Sequence, residues 1–127
     1  MSATEILAYY EGSQQISTTL GTGDFRPVIK TGVSADKPVL FTVSVDIRPS
    51  NVTTTGIVMI ASWIGPSDTD YMYFKQLKVA NGKRISETIT FASKKMVIVY
   101  LDSPQARFNI QWHIMVQGSA GTIVTYR

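Results

Sequence analysis

The chain has 127 residues and no cysteine, with 44% hydrophobic residues, 17% charged residues and a net charge of +3. This length suits a single core, so we interpret residues 1–127 as one β-rich domain. The missing cysteine excludes disulfides, a thiol nucleophile and a cysteine-ligated metal, and the scattered basic residues argue against a nucleic-acid partner.

The sequence carries no sign of membrane insertion or of export. No window approaches the roughly 18 continuous apolar residues that a spanning helix needs. The start, MSATEILAYYEG, lacks the basic and apolar regions of a signal peptide. A cytoplasmic product, a virion protein released by lysis and a mature chain without its leader all fit this pattern. Among locations, the architecture favours an extracellular or virion-surface position.

The first half of the chain is predicted to form strands. Before residue 38, glycine-rich turns separate three short candidate strands, at Ile6–Tyr10, Gln15–Leu20 and Phe25–Lys30. Val39–Ile47 alternates apolar and polar residues, which is typical of a strand with one buried face. Ile57–Ile64 is apolar on both faces and is therefore predicted to be a central strand that is covered on both sides.

The second half continues the pattern. Asn81–Gly82 lies between Tyr71–Ala80 and Lys83–Ala92, and this dipeptide is the strongest short signal for a β-hairpin. Glu87 interrupts the apolar side of the second arm. Further strands are predicted at Lys95–Leu101 and Thr122–Arg127.

Arg107–Gln117 has the clearest alternation in the chain. Its one side is apolar, whereas the other is polar and nearly uncharged, with Asn109, Gln111, His113, Met115 and Gln117. Amide-rich faces suit a subunit contact or a ligand with many hydroxyl groups. We expect Asn109, Gln111, His113 and Met115 to face another subunit, because uncharged groups avoid like-charge repulsion near a symmetry axis.

Together these segments predict eight to ten strands and no helix. The fold class is therefore all-β, an antiparallel β-sandwich. We favour the jelly-roll type over an immunoglobulin-like sandwich, because the strand count is high and no Cys…Trp…Cys framework exists.

The sequence contains no convincing catalytic or metal-binding set. His113 is the single histidine, and no motif places a serine or aspartate beside it, so we interpret it as a hydrogen-bonding member of the amide face. Asp68 and Asp70 lack the further ligands of a calcium loop and suit a solvated turn better. We therefore expect no enzyme activity, no metal and no cofactor.

Aromatic residues close to this acidic turn leave two interpretations open. Tyr71 and Tyr73 would share one strand face beside Asp70. Such a face could stack on a sugar while the carboxylate binds hydroxyl groups. We favour the other interpretation, that the face packs in a core or a subunit interface.

Several short motifs resemble the tumour-necrosis-factor-like trimeric lectin domains of bacteria. They are Gln111-Trp112, Gly118-Ser119-Ala120 with Tyr126, Thr55-Gly56-Ile57, and Gly82 with Arg84, within residues 37–127. The resemblance implies a trimer of jelly rolls that binds fucosylated glycans between subunits. It would make Arg84 a sugar contact and Tyr71 or Tyr73 an aromatic contact. The chain departs from the family pattern at Gln117, which replaces a second arginine, and at Val58, which replaces a tyrosine.

Two functional hypotheses follow. The first is a non-enzymatic oligomeric recognition module, trimeric by resemblance, that binds a glycan through Tyr71, Tyr73, Arg84, Asp70 and Gln117. The alternative is a structural or receptor-binding protein of a virion, such as a decoration, capsid or tail-tip component. Low charge and the lack of cysteine suit both.

Overall fold

A computed structural model describes residues 4–17, 26–63, 71–102 and 106–127 of the chain. These residues form seven antiparallel strands in the order β1-β6-β2-β5-β3-β4, with β7 also paired to β2. The described part contains no helix that is long and apolar enough to cross a membrane. The strands are β1 (Thr4–Ser17), β2 (Arg26–Pro49), β3 (Gly56–Trp63), β4 (Tyr71–Val79), β5 (Ile85–Asp102), β6 (Arg107–Ser119) and β7 (Val124–Tyr126).

Two long strands, β2 and β5, run through both layers of the molecule. Their pairing shifts register between Ser34 and Val39, where Ser34 lies opposite Lys95 and Val39 opposite Ser93. On one side of this shift, β1, β6, residues 39–49 of β2 and residues 85–93 of β5 form what we call the first layer. On the other side, β7, β3, β4 and the remaining halves of β2 and β5 form the second layer.

The hydrophobic core lies between these layers. Aromatic contacts join them directly, since Phe74 of β4 stacks on Phe91 of β5 with ring centroids 4.1 Å apart. Tyr100 of the second layer meets Phe108 of β6 edge-on at 6.4 Å. Alternating residues supply the buried side of the first layer, including Phe41, Val43, Val45, Ile47, Phe108, Ile110, Trp112, Ile114 and Val116. The two layers therefore pack as a sandwich around one apolar interior.

The strand β3 is buried on both faces, as the sequence predicted. Val58 and Ile60 join the main core, whereas Met59 and Ala61 form a second buried cluster with Val97 and Val99 of β5. Because β3 is hydrogen-bonded to β4 on one side and β5 on the other, its backbone is also satisfied within the sheet.

The all-β antiparallel architecture is confirmed, whereas the jelly-roll connectivity stays a prediction. The described strands number seven rather than eight to ten, because segments predicted as separate strands are continuous. Gly12 illustrates the reason: it is not a turn, since β1 passes straight through it against the Trp112 ring. Likewise, β5 continues through Ser93, whose hydroxyl bonds the backbone N–H and carbonyl of Lys95.

The hairpin prediction at Asn81–Gly82 is wrong in its pairing, although the turn itself exists. Asn81 and Gly82 have φ angles of 59° and 68°, and the N–H of Lys83 donates to the carbonyl of Ala80 at 3.2 Å. The flanking strands nevertheless separate, since β4 pairs with β3 and the first half of β5 pairs with β2. The turn therefore carries the chain from one layer to the other.

Candidate functional site

The outer face of the first layer, opposite the core, is a regular grid of side chains. The pairing registers align residues of β1, β6, β2 and β5 in rows across the four strands. From one end to the other the rows are Gln15, Asn109 and Arg48; Ser13, Gln111, Asp46 and Ser86; Glu11, His113, Ser44 and Thr88; Tyr9, Met115, Thr42 and Thr90; and Ile6, Gln117, Leu40 and Ala92. The face thus changes from a charged end, through a polar centre, to an end with exposed apolar side chains.

An arginine pair controls the charge at the first end. The guanidinium of Arg84 donates through Nε to Oδ1 of Asp46 and through Nη2 to Oδ2, both at 2.8 Å. Nε of Arg48 lies 3.4 Å from the same Oδ2. The hydrogen bond from Arg84, with the charge of both arginines, lowers the pKa of Asp46 below its ordinary value. Two cations and one anion leave this end with one net positive charge.

Beside this pair, a shallow groove of about 410 Å³ crosses β1, β6 and β2. Amides, a hydroxyl and the charged pair line it, in the set Ser13, Gln14, Gln15, Asp46, Arg48, Asn109, Ile110 and Gln111. Amides both donate and accept hydrogen bonds, and the two oxygens of Asp46 are already engaged by Arg84. The groove therefore offers mixed hydrogen-bonding groups and an exposed guanidinium, that of Arg48, beside the Asp46 carboxylate.

The centre of the face holds the single histidine. Nε2 of His113 lies 3.4 Å from Oε2 of Glu11, and its ring lies 6.1 Å from the ring of Tyr9 in a stacked arrangement. Ser44 and Thr88 complete the row with a hydroxyl–hydroxyl bond of 2.9 Å. His113 thus lies on the polar face beside Glu11 and Tyr9, and its predicted hydrogen-bonding role stays a prediction. The role of Asn109, Gln111, His113 and Met115 in a subunit contact stays a prediction.

The far end of the face exposes apolar side chains. Ile6 is 64% exposed and Leu40 is 38% exposed, on either side of the half-buried Gln117. Tyr9 in the next row is 57% exposed.

Two edges of the first layer are open. Within the described residues, β1 is hydrogen-bonded only to β6, and residues 85–93 of β5 only to β2. The fourteen residues of β1 include no lysine and no proline, the residues that commonly protect edges. The edge strand of the second layer, β4, carries Lys75 and Lys78. The edge strand without lysine or proline is therefore on the layer that also has the polar outer face.

The predicted glycan-contact residues are spread across the chain. Arg84 lies just before β5, at the end of the face where Asn109 lies on β6. Gln117 lies eight residues further along β6 than Asn109, which corresponds to roughly 25 Å of strand. Tyr71 and Tyr73 are on β4, paired in backbone register with Trp63 and Ala61. Asp70 and the rest of the predicted acidic turn lie outside the described residues. One copy of the chain therefore does not bring Arg84 and Gln117 together.

The sequence did not point to the groove. Asp46 and Arg84 are 38 residues apart, and Asn109 meets Arg48 only through the register between β6 and β2. The available signal was Asp46, the one charged residue on the polar side of Val39–Ile47, with Arg48 two positions further on. No cluster of three or more histidine, cysteine, aspartate or glutamate residues that could hold a metal occurs in the described part.

Comparisons with known proteins found only low similarity to this chain. No family model and no curated protein matches it. One similar solved chain comes from work on Bacillus endospore appendages, which "form a novel family of disulfide-linked pili"; it is 11% identical, with 94% of this chain and 90% of that chain covered and a TM-score of 0.49. Similarity at this level carries no argument about function, and this chain has no cysteine with which to form the linkage named there.

Proposed function

We propose that this protein is a non-enzymatic structural subunit that associates with copies of itself through the open edges of its first layer. The observation that carries this proposal is that β1 and residues 85–93 of β5, at opposite sides of the four-stranded first layer, each pair on one side only within the described residues. An edge strand presents a row of N–H and C=O groups that another strand can pair with.

The strand directions suit addition of one copy to the next. Because each neighbouring pair in the order β1, β6, β2, β5 is antiparallel, β1 runs antiparallel to β5. The β1 edge of one copy would therefore form an antiparallel ladder with the β5 edge of another. Such a head-to-tail contact closes into a ring or continues as a filament, depending on the rotation between copies. A ring of three would agree with the trimer that the sequence resemblance implies.

Glu87 would restrict which strand can pair at the β5 edge. It lies opposite Val45 on the inner side of the layer and is half-buried. An inward-pointing charge discourages unspecific pairing, because an apolar partner would leave it unsatisfied. The inner side of β1 carries the exposed amide of Gln14, opposite Ile110, which can donate to a carboxylate.

The absence of cysteine allows a direct test by cross-linking. Single variants Ser13→Cys in β1 and Ser86→Cys, Thr88→Cys or Thr90→Cys in β5 would be mixed in pairs and oxidised. We expect one pair to give mixed disulfide dimers efficiently, since opposing Cβ atoms must lie about 3.5–4.5 Å apart. Light scattering on the unmodified chain should show a mass above that of one chain.

Lys78→Cys, on the lysine-bearing edge strand β4, is the matched control when mixed with the same β5 variants. A chain that is monomeric at every concentration, with cross-linking no greater than in the control mixtures, would refute the proposal.

Glycan recognition is the second candidate, and the amide-lined groove is the observation that favours it. Amides and serine hydroxyls bind sugar hydroxyl groups as donors and as acceptors. Contacts through Tyr71, Tyr73, Arg84, Asp70 and Gln117 would require residues from neighbouring subunits. A glycan array with the folded oligomer tests this candidate, and no binding at high protein concentration would reject it.

A further inference from the structure

The groove on the outer face combines a positive charge with an unusual number of amides. Arg48 is 59% exposed on its side chain, and its contact with Asp46 is made through Nε at 3.4 Å. Asp46 is bound more closely by Arg84, at 2.8 Å to each oxygen. Arg48 is therefore the more loosely held of the two arginines on Asp46, and two cations share one carboxylate.

The groups around Arg48 are neutral hydrogen-bonding groups. Asn109 lies opposite Arg48 on β6 and Gln15 lies opposite Asn109 on β1, so two amides continue its row. Gln111 and Ser13 form the next row beside Asp46. This set can hydrogen-bond several hydroxyl groups at once, while the planar guanidinium matches the two oxygens of a carboxylate.

We propose that this groove binds an acidic saccharide, with Arg48 holding the carboxylate and Asn109, Gln111 and Gln15 binding the hydroxyl groups. The proposal rests on the second candidate function and adds a charge requirement to it. Because Arg84 binds both oxygens of Asp46 and Arg48 lies beside the same carboxylate, the group of Asp46, Arg48 and Arg84 carries one net positive charge.

Other anionic ligands suit the groove less well. Single-stranded nucleic acids need aromatic side chains on which bases stack, and the lining residues include none. Phosphate oxygens would accept hydrogen bonds from the amide NH₂ groups, but the amide oxygens also need donors, which saccharide hydroxyl groups supply. A saccharide with one carboxylate uses both parts of the site.

The test is titration calorimetry on the full chain with trigalacturonate as the acidic probe, its carboxyl-reduced neutral trisaccharide, and inorganic phosphate. We expect trigalacturonate to bind at least about tenfold more tightly than the neutral form, as a charge-assisted contact predicts. Arg48→Gln should remove about tenfold of the acidic probe's affinity and leave the neutral probe unchanged. Asn109→Ala should weaken both probes.

Arg107→Gln is the matched control, because Arg107 bonds Ser17 at 2.9 Å and lies outside the groove lining. It removes the same charge from the chain, so an equal loss in Arg107→Gln and Arg48→Gln would overturn the assignment to the groove. Equal binding of the acidic and neutral probes would retain glycan recognition but overturn the carboxylate site. Phosphate binding as tight as trigalacturonate binding would overturn the proposal that the ligand is a saccharide. No binding by any probe would reject both the acidic-saccharide site and glycan recognition.

Discussion

The two layers of the sandwich share the strands β2 and β5, yet their outer faces differ in burial and in polarity. The second layer is buried on both faces along β3 and the second half of β5, where Val97 and Val99 are fully enclosed. The first layer is buried on its inner side only and presents hydroxyl and amide rows on its outer side. A strand that is apolar on both faces serves stability, whereas a half-buried one keeps a face for recognition.

The edges differ in the same way. The second layer ends at β4, where Lys75 and Lys78 oppose pairing with other strands. The first layer ends at β1, with two glutamates but neither lysine nor proline. Since lysine and proline are among the usual protections of an edge, this contrast favours β1 over β4 as the edge that a partner would use.

Exchanging the edge protections should have the largest effect. We expect Ser13→Lys with Gln15→Lys to shift the assembly to single chains, because lysines would then occupy the β1 edge as they do the β4 edge. Lys75→Thr with Lys78→Thr should instead produce larger, less defined aggregates. Sedimentation velocity across a concentration series measures both changes.

Substitution of the outer face alone provides the control for that experiment. Gln111→Glu with His113→Glu adds charge to the face but leaves the β1 edge untouched. If these substitutions dissociate the assembly while the β1 lysines do not, the face is the subunit interface and the edge is not.

Gly12→Ala should give the largest loss of folding stability, about 2 kcal/mol from overpacking. A Cβ at this position would lie 2.5 Å from Cζ2 of Trp112, whose ring is buried and hydrogen-bonded. Urea denaturation measures the change. The neighbouring Ser13→Ala, on the exposed side of β1, should stay within about 0.5 kcal/mol of the parent. Equal stability of both variants would mean that β1 is loosely attached.

Tyr126→Phe should cost about 1 kcal/mol of folding stability, because it removes one partly buried hydrogen bond between the layers. The indole Nε1 of Trp112 donates to the hydroxyl of Tyr126 at 3.1 Å, while Tyr10 stacks on the Tyr126 ring at 4.3 Å. Phenylalanine keeps the stacking and loses only the acceptor. Tyr9→Phe, on the exposed outer face, is the control and should leave the unfolding midpoint unchanged.

The smallest effect should be the loss of folding stability at acid pH that follows from protonation of Asp46. Arg84 holds the pKa of Asp46 below its ordinary value of 3.8, so the carboxylate contributes stability at neutral pH. This contribution should be lost as the pH falls from about 4 through the lowered pKa. Thermal unfolding of the parent and Asp46→Asn at several pH values measures it: their difference should shrink as the pH falls. A constant difference would contradict this linkage.

The sequence by itself determined the strands whose alternation or composition is local. Arg107–Gln117 falls within β6, and its apolar side is buried. The predicted strand Ile57–Ile64 is apolar on both faces, and its residues 57–63 lie in the central strand β3. Side-chain period and burial are linked residue by residue along one strand, so no distant contact is needed to predict them.

Only the tertiary structure decided which strands pair. The turn at Asn81–Gly82 is local, but the separation of β4 from β5 depends on their pairing with β3 and β2. The groove likewise depends on the registers that bring Asp46 beside Arg84 and Arg48 opposite Asn109. Pairing depends on contacts between residues far apart in the chain, and the side-chain period of a strand does not contain that information.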